Sequence, residues 1–103
     1  MALVEVSVIP LGTGTASVSQ YVARAVQVLQ AEEGIRYELT GMGTIIEGDL
    51  SRLMTLIQRM HEAVLDAGVM RVVTTVKIDD RRDRGSSSTG KVESLKRELG
   101  RLS

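Results

Sequence analysis

Thr40-Gly41-Met42-Gly43-Thr44-Ile45-Ile46-Glu47-Gly48-Asp49 stands at the middle of the chain, and its reading decides the fold. Gly41-Met42 puts glycine at the first central position of a two-residue type II′ turn, so residues 35–40 and 43–47 read as the arms of a β-hairpin. With that turn Leu39 faces Thr44 and Tyr37 faces Ile46 on one face. Arg36 faces Glu47, Glu38 faces Ile45 and Thr40 faces Gly43 on the other. A three-residue turn would slip the register and exchange one strand's faces. Asp49 closes the stretch as a plausible N-cap for a following helix.

Working outward, each side of the hairpin carries one strand and one helix. Residues 3–9 alternate, with Val4, Val6 and Val8 on one face and Leu3, Glu5, Ser7 and Ile9 on the other, before Pro10 removes a ladder donor. Ser17 and Gln20 have capping-box spacing, and Val18, Val22, Ala25, Val26 and Leu29 form a stripe that ends near Gly34. After the hairpin, Leu50, Leu53, Met54, Ile57, Met60, His61, Val64 and Leu65 form a second stripe that Gly68 stops. Residues 70–78 are the last strand, with Val72, Thr74, Val76 and Ile78 sharing a face.

The order β-α-β-β-α-β predicts an α+β, ferredoxin-like domain over residues 1–84, with two helices on one face of a four-stranded antiparallel sheet. The opposite sheet face carries Glu5, Ile9, Arg36, Glu38, Ile45, Glu47, Val73 and Lys77. That mixture of charge and β-branched residues suits face-to-face packing with a second copy. Asp79 to Arg84 reads as a charged, solvated turn. Residues 85–103 follow as a Ser/Gly tether over 85–90 and a short helix over 91–102, striped by Val92, Leu95, Leu99 and Leu102. A helix of that length is marginal alone, so its stripe is expected to dock on the same or a neighbouring subunit.

The 103 residues suffice for one core. With 13 basic against 13 acidic residues there is no field to favour nucleic acid or an anionic membrane, and the two tyrosines leave no stacking platform for single strands. No cysteine is present, which removes disulfides, thiol nucleophiles and thiolate metal sites. The apolar run at the start lacks a basic region before it, and none approaches the ~20 residues of a bilayer span. A soluble, cytoplasmic protein is the expectation.

Several motifs invite chemistry and decline it. Gly12-Thr13-Gly14-Thr15-Ala16-Ser17 lies between strand and helix as a dinucleotide fingerprint would, yet Ser17 holds its sixth position and the topology is wrong for a parallel nucleotide sheet. It is read either as a plain connector or as a tight turn before a helix N-terminus able to take a hydroxyl or anion. His61-Glu62-Ala63-Val64-Leu65 starts like a metalloprotease helix, but Leu65 replaces the second histidine, so His61 is read as packed or hydrogen-bonded. No catalytic triad spacing and no phosphate loop occur. Glu38 and Glu47 could oppose a cationic ligand, although Glu47 facing Arg36 is equally an ion pair. Thr44, polar on the helix-facing side, either bonds backbone or points into a pocket. No catalytic residue, metal or cofactor is assigned.

Four blocks taken in order resemble the YkoF-like, small thiamine-binding protein family: Val6 to Gly14, Ser17 to Ala23, Gly41 to Gly48, and Arg71-Val72 with Lys77 to Asp83. The resemblance implies the same ferredoxin-like fold, a homo-oligomer that is commonly a dimer of dimers, and non-catalytic binding of thiamine or its hydroxymethylpyrimidine part. Carried over by residue, it implies ligand contact at Gly12, Thr13, Ser17, Ser19, Tyr37, Thr44 and Glu47. A structural or regulatory oligomer without a dedicated ligand is the alternative, and an enzyme acting on a small metabolite is the remaining one.

Overall fold

Leu39 pairs with Thr44, Tyr37 with Ile46, Glu38 with Ile45 and Arg36 with Glu47, the register that a two-residue turn dictates. The computed structural model describes residues 1–83 and 87–102. Strand β1 (Ala2–Leu11), helix α1 (Ser19–Gln30), strands β2 (Arg36–Leu39) and β3 (Thr44–Gly48), helix α2 (Leu50–Leu65), strand β4 (Arg71–Asp80) and helix α3 (Ser88–Leu102) follow in that order. The strands form one antiparallel sheet ordered β2-β3-β1-β4, the ferredoxin-like arrangement.

Although the register holds, the turn is not type II′. Gly41 is not among the residues with positive φ, which that turn requires of its first central residue. The Thr40 hydroxyl closes the turn instead, accepting from Met42 N–H at 3.2 Å and Gly43 N–H at 3.1 Å and donating to the Gly43 carbonyl at 2.8 Å. A side chain thus supplies the closure that the backbone would otherwise make.

The core lies between the sheet and α1 and α2. Val4 and Val6 of β1, Ile46 of β3, Leu29 of α1, and Leu53, Met60 and Val64 of α2 are its most buried residues. Each contributes about 1.5–3 kcal/mol by leaving water. Met54, expected on this stripe, is exposed, while Leu56 is buried; the α2 stripe is therefore Leu53, Leu56, Ile57, Met60 and Val64. Asp49 caps α2, its carboxylate accepting from Arg52 N–H at 3.3 Å. Glu32, beyond α1, binds Arg52 at 3.3 Å and Arg59 at 2.7 Å and ties the two helices together.

Three boundaries differ from expectation for local reasons. Helix α1 begins at Ser19 with Val18, which has no polar side chain to offer, as its N-cap; Ser17 lies in the preceding loop, its N–H donating to Thr15 Oγ1 at 3.0 Å. Asp79 and Asp80 are strand rather than turn, paired with Leu3 and Ala2; Asp79 is also joined to Lys91 of α3, and Arg81 to Asp83 at 2.5 Å. Helix α3 starts at Ser88, inside the expected tether. Its first N–H groups have ready acceptors, Glu47 Oε1 for Ser88 N–H and Ser87 Oγ for Gly90 N–H, each at 2.9 Å. The first part of the tether, residues 85 and 86, lies outside the described residues.

Helix α3 buries none of its residues. The molecule is accordingly long, 49 × 31 × 19 Å, and its radius of gyration of 15.5 Å exceeds the about 13 Å of a rounded domain of this size.

Candidate functional site

Strand β3 accompanies β1 only where Ala2 to Val6 face Gly48 to Thr44, whereas β4 follows β1 out to Leu11. Beyond Val6, β1 has a strand on one side only. The other side opens because the Thr40 hydroxyl curls the hairpin tip back on itself. Gly43 stays close to β1 at this point, and a Cβ there would lie 2.9 Å from the Val6 carbonyl oxygen, so the close approach requires glycine. Helix α1 forms the third wall. Together they enclose a cleft of about 730 Å³, within the about 300–1,000 Å³ of small-molecule sites.

The lining is mostly aliphatic, with Val6, Val8, Val22, Val26 and Leu39 among its residues and the thioethers of Met42 and Met60 beside them. Its polar groups are the hydroxyls of Ser7, Ser19, Thr40 and Thr44 and the amides of Gln27 and Gln30. Among the described residues, no charged side chain and no histidine lines it. Thr44 is 5% exposed, and its hydroxyl makes no hydrogen bond among the described residues. Buried hydroxyls are rarely left so. The uncapped N-terminus of α1, at Val18 and Ser19, lies at the same cleft.

Of the residues singled out in the sequence, the cleft brings together Ser19 and Thr44. Gly12, Thr13 and Ser17 lie in the preceding loop and are not part of the lining. Gly12 adopts φ 75°, Thr13 Oγ1 donates to the Thr15 carbonyl at 3.0 Å, and Ser17 is held through Thr15, so the loop's polar groups serve one another. Tyr37 shares the helix-facing side with Thr44 but sits farther along β2, opposite Ile46, and is exposed.

Glu47 is on the opposite sheet face from Thr44, as the register requires, and its carboxylate takes Ser88 N–H. It makes no ion pair with Arg36 among the described residues, so the cross-strand pairing expected from sequence is replaced by a bond to α3. Glu38 shares that face. His61 lies away from the cleft, its Nδ1 2.6 Å from Thr74 Oγ1, the hydrogen-bonded role expected of it.

Sequence reasoning missed Val8, Thr40, Gln27, Gln30 and Met42. A signal existed for the α1 wall: the stripe begins at Val18 and Val22, yet full burial begins only at Ala25, which leaves its first turns facing the cleft.

The sequence profile described as "Thiamine-binding protein" matches residues 4–96. The chain belongs to this family. It is 48% identical over 102 residues to the UPF0045 protein YqgV of Bacillus subtilis, covering 96% of this chain and 98% of that one. A UPF0045 protein of Methanothermobacter thermautotrophicus is 51% identical over 100 residues, covering 96% of this chain and all of its own. Among solved structures, a hypothetical protein of Methanocaldococcus jannaschii superposes with a TM-score of 0.83 at 39% identity, covering 91% of this chain and 94% of that one. A Thermotoga maritima protein, named as a candidate thiamine biosynthesis/salvage protein, superposes with a TM-score of 0.76 at 20% identity, covering 91% and 97%. At that identity the likeness is one of fold.

Proposed function

We propose that this member of the thiamine-binding family binds thiamine, or its hydroxymethylpyrimidine part, in the cleft between α1, β1 and the hairpin tip, without catalysing its conversion. The observation that carries the reading is the buried Thr44 hydroxyl, without a hydrogen bond among the described residues, on a mostly aliphatic, uncharged wall. A neutral aminopyrimidine supplies flat apolar faces for the valines and a donor–acceptor edge for the hydroxyl. The thiazolium cation finds no counter-charge inside and is expected at the mouth, toward solvent. A small-molecule binding role fits this cleft, whose lining among the described residues is aliphatic with uncharged polar groups.

The protein is proposed to act as a cytoplasmic homo-oligomer, a dimer of dimers in keeping with the family resemblance. Support comes from two exposed apolar surfaces in one chain. These are the α3 stripe of Val92, Leu95, Leu99 and Leu102, and Ile9 and Val73 on the open sheet face. The same surfaces favour the second reading, an oligomer of structural or regulatory role with no ligand. Titration calorimetry with thiamine and with hydroxymethylpyrimidine separates the two. Saturable heat with a rise in melting temperature is expected; no heat and no thermal shift at millimolar ligand leaves only the oligomer.

A further inference from the structure

Main-chain geometry adds a second half to the site, and parity identifies it. In an antiparallel ladder each residue turns its N–H and C=O to the same side of the strand, and consecutive residues turn to opposite sides. Pro10 has no N–H, yet it sits opposite Val72 within the β1–β4 ladder, with Leu11 and Arg71 paired beyond it, so its nitrogen faces away from β4. Val6 belongs to the same alternate set, and its carbonyl oxygen does lie on the β3 side, against Gly43. The hairpin gives the same parity independently. Thr40 N–H donates to the Gly43 carbonyl at 2.9 Å, so Gly43, Ile45 and Glu47 address β2, and Thr44 and Ile46 are left to bond Val6 and Val4.

Val8 stands between Val6 and Pro10 in this set, so its N–H and C=O point away from β4 toward the cleft. The ladder to β3 has ended at Val6 and Thr44. Continued by one step of the same set, it would bring Met42 to Val8, but Met42 N–H is spent on Thr40 Oγ1. Val8 is 6% exposed and lines the cleft. Neither its N–H nor its C=O has a partner on this side among the described residues. A buried residue with both main-chain groups unpaired is rare in a folded protein, since each lost bond costs about 1–3 kcal/mol.

We infer that the Val8 main chain is a ligand-binding element of this cleft, taking the place of a missing strand with a planar ring that carries an acceptor nitrogen beside an exocyclic amino group. Val8 N–H donates to the ring nitrogen, and Val8 C=O accepts from the amino group. The Thr44 hydroxyl, one ladder step back opposite Val6, meets a further polar atom of the ligand. Such an edge is what an aminopyrimidine offers and what a sugar, a fatty acid or a diphosphate lacks. The assignment rests on the proposed function for the identity of the ligand, but not for the position of the vacant strand edge.

Amide hydrogen exchange on the isotope-labelled full chain, followed by NMR with hydroxymethylpyrimidine as the probe, tests it. In the free protein Val8 N–H is expected to exchange far faster than Val4 and Val6, which bond β3. At saturation it is expected to slow by about tenfold or more and to shift downfield. An analogue with the ring amino group replaced by methyl is expected to bind about tenfold more weakly, because Val8 C=O is then left unpaired. Calorimetric binding with Val8 exchange unchanged, or equal affinity for the analogue, overturns the inference and leaves the proposed function standing. No heat from hydroxymethylpyrimidine or thiamine overturns the ligand reading, and this assignment of its binding edge with it.

Discussion

Thr44 is where residue chemistry and function meet. A valine there keeps the shape and removes the hydroxyl. Because that hydroxyl is buried without a partner among the described residues, Thr44→Val is expected to leave the melting temperature unchanged or raise it. Affinity for hydroxymethylpyrimidine is expected to fall about tenfold, equivalent to about 1.4 kcal/mol; calorimetry and a thermal melt on the same sample read both. Gly43→Ala should do the reverse to stability. Its Cβ would stand 2.9 Å from the Val6 carbonyl, and an overpacked site of this kind costs about 1–3 kcal/mol, measurable as a shift in the urea midpoint. The dual nature of Thr44 was legible from alternation alone, since a threonine on the helix-facing row needs a reason. Glu47 was legible only in part: its face followed from the register, but its partner, Ser88 N–H, lies too far along the chain for any local pattern to indicate.

At the scale of elements, the hairpin register was readable because only a two-residue turn keeps Ile46 and Thr44 on the buried side. The turn's chemistry was not. Glycine at Gly41 suggested a backbone solution, and the Thr40 side chain supplied it instead. Thr40→Val is therefore expected to cost about 1 kcal/mol and to lower ligand affinity by more than stability, since a released hairpin tip can close over β1 and pair with Val8. The start of α1 was misplaced for a similar reason, Ser17 being drawn into the preceding loop by Thr15.

The tie between α1 and α2 carries a pH signature. Hydrogen bonds from Arg59 and then Arg52 hold the Glu32 carboxyl below its ordinary value of 4.5. A carboxyl whose folded value is depressed stabilises the fold fully above its unfolded value and loses that contribution as pH falls through the folded one. Urea midpoints of the native chain and of Glu32→Gln should thus differ near neutrality and converge as the pH drops below 4.5. Glu32 is at the surface, so the difference is expected to be small and to shrink in salt.

For the whole molecule, the ferredoxin-like order was legible because periods of about 3.6 and 2 alternate cleanly along the chain. The position of α3 was not, since an amphipathic stripe says that a helix must dock without saying where. Its leucines remain exposed in the single chain, Leu95 at 60% and Leu99 at 57%. Replacing both by glutamate is expected to reduce the mass seen by light scattering to that of one chain while the circular dichroism of the α/β core persists. An unchanged mass would assign assembly to the sheet face alone. The cleft, by contrast, opens between α1 and the free edge of β1, where Ser7 and Ile9 also border it. The central claim, that this cleft at the end of the β1–β3 ladder holds the ligand, is tested most directly by a crystal structure of the protein soaked with hydroxymethylpyrimidine. Density for the ring between α1, Val8 and the hairpin tip, within hydrogen-bonding distance of the Thr44 hydroxyl, is the expected result; density on the open sheet face beside Glu47 with the cleft empty would contradict it.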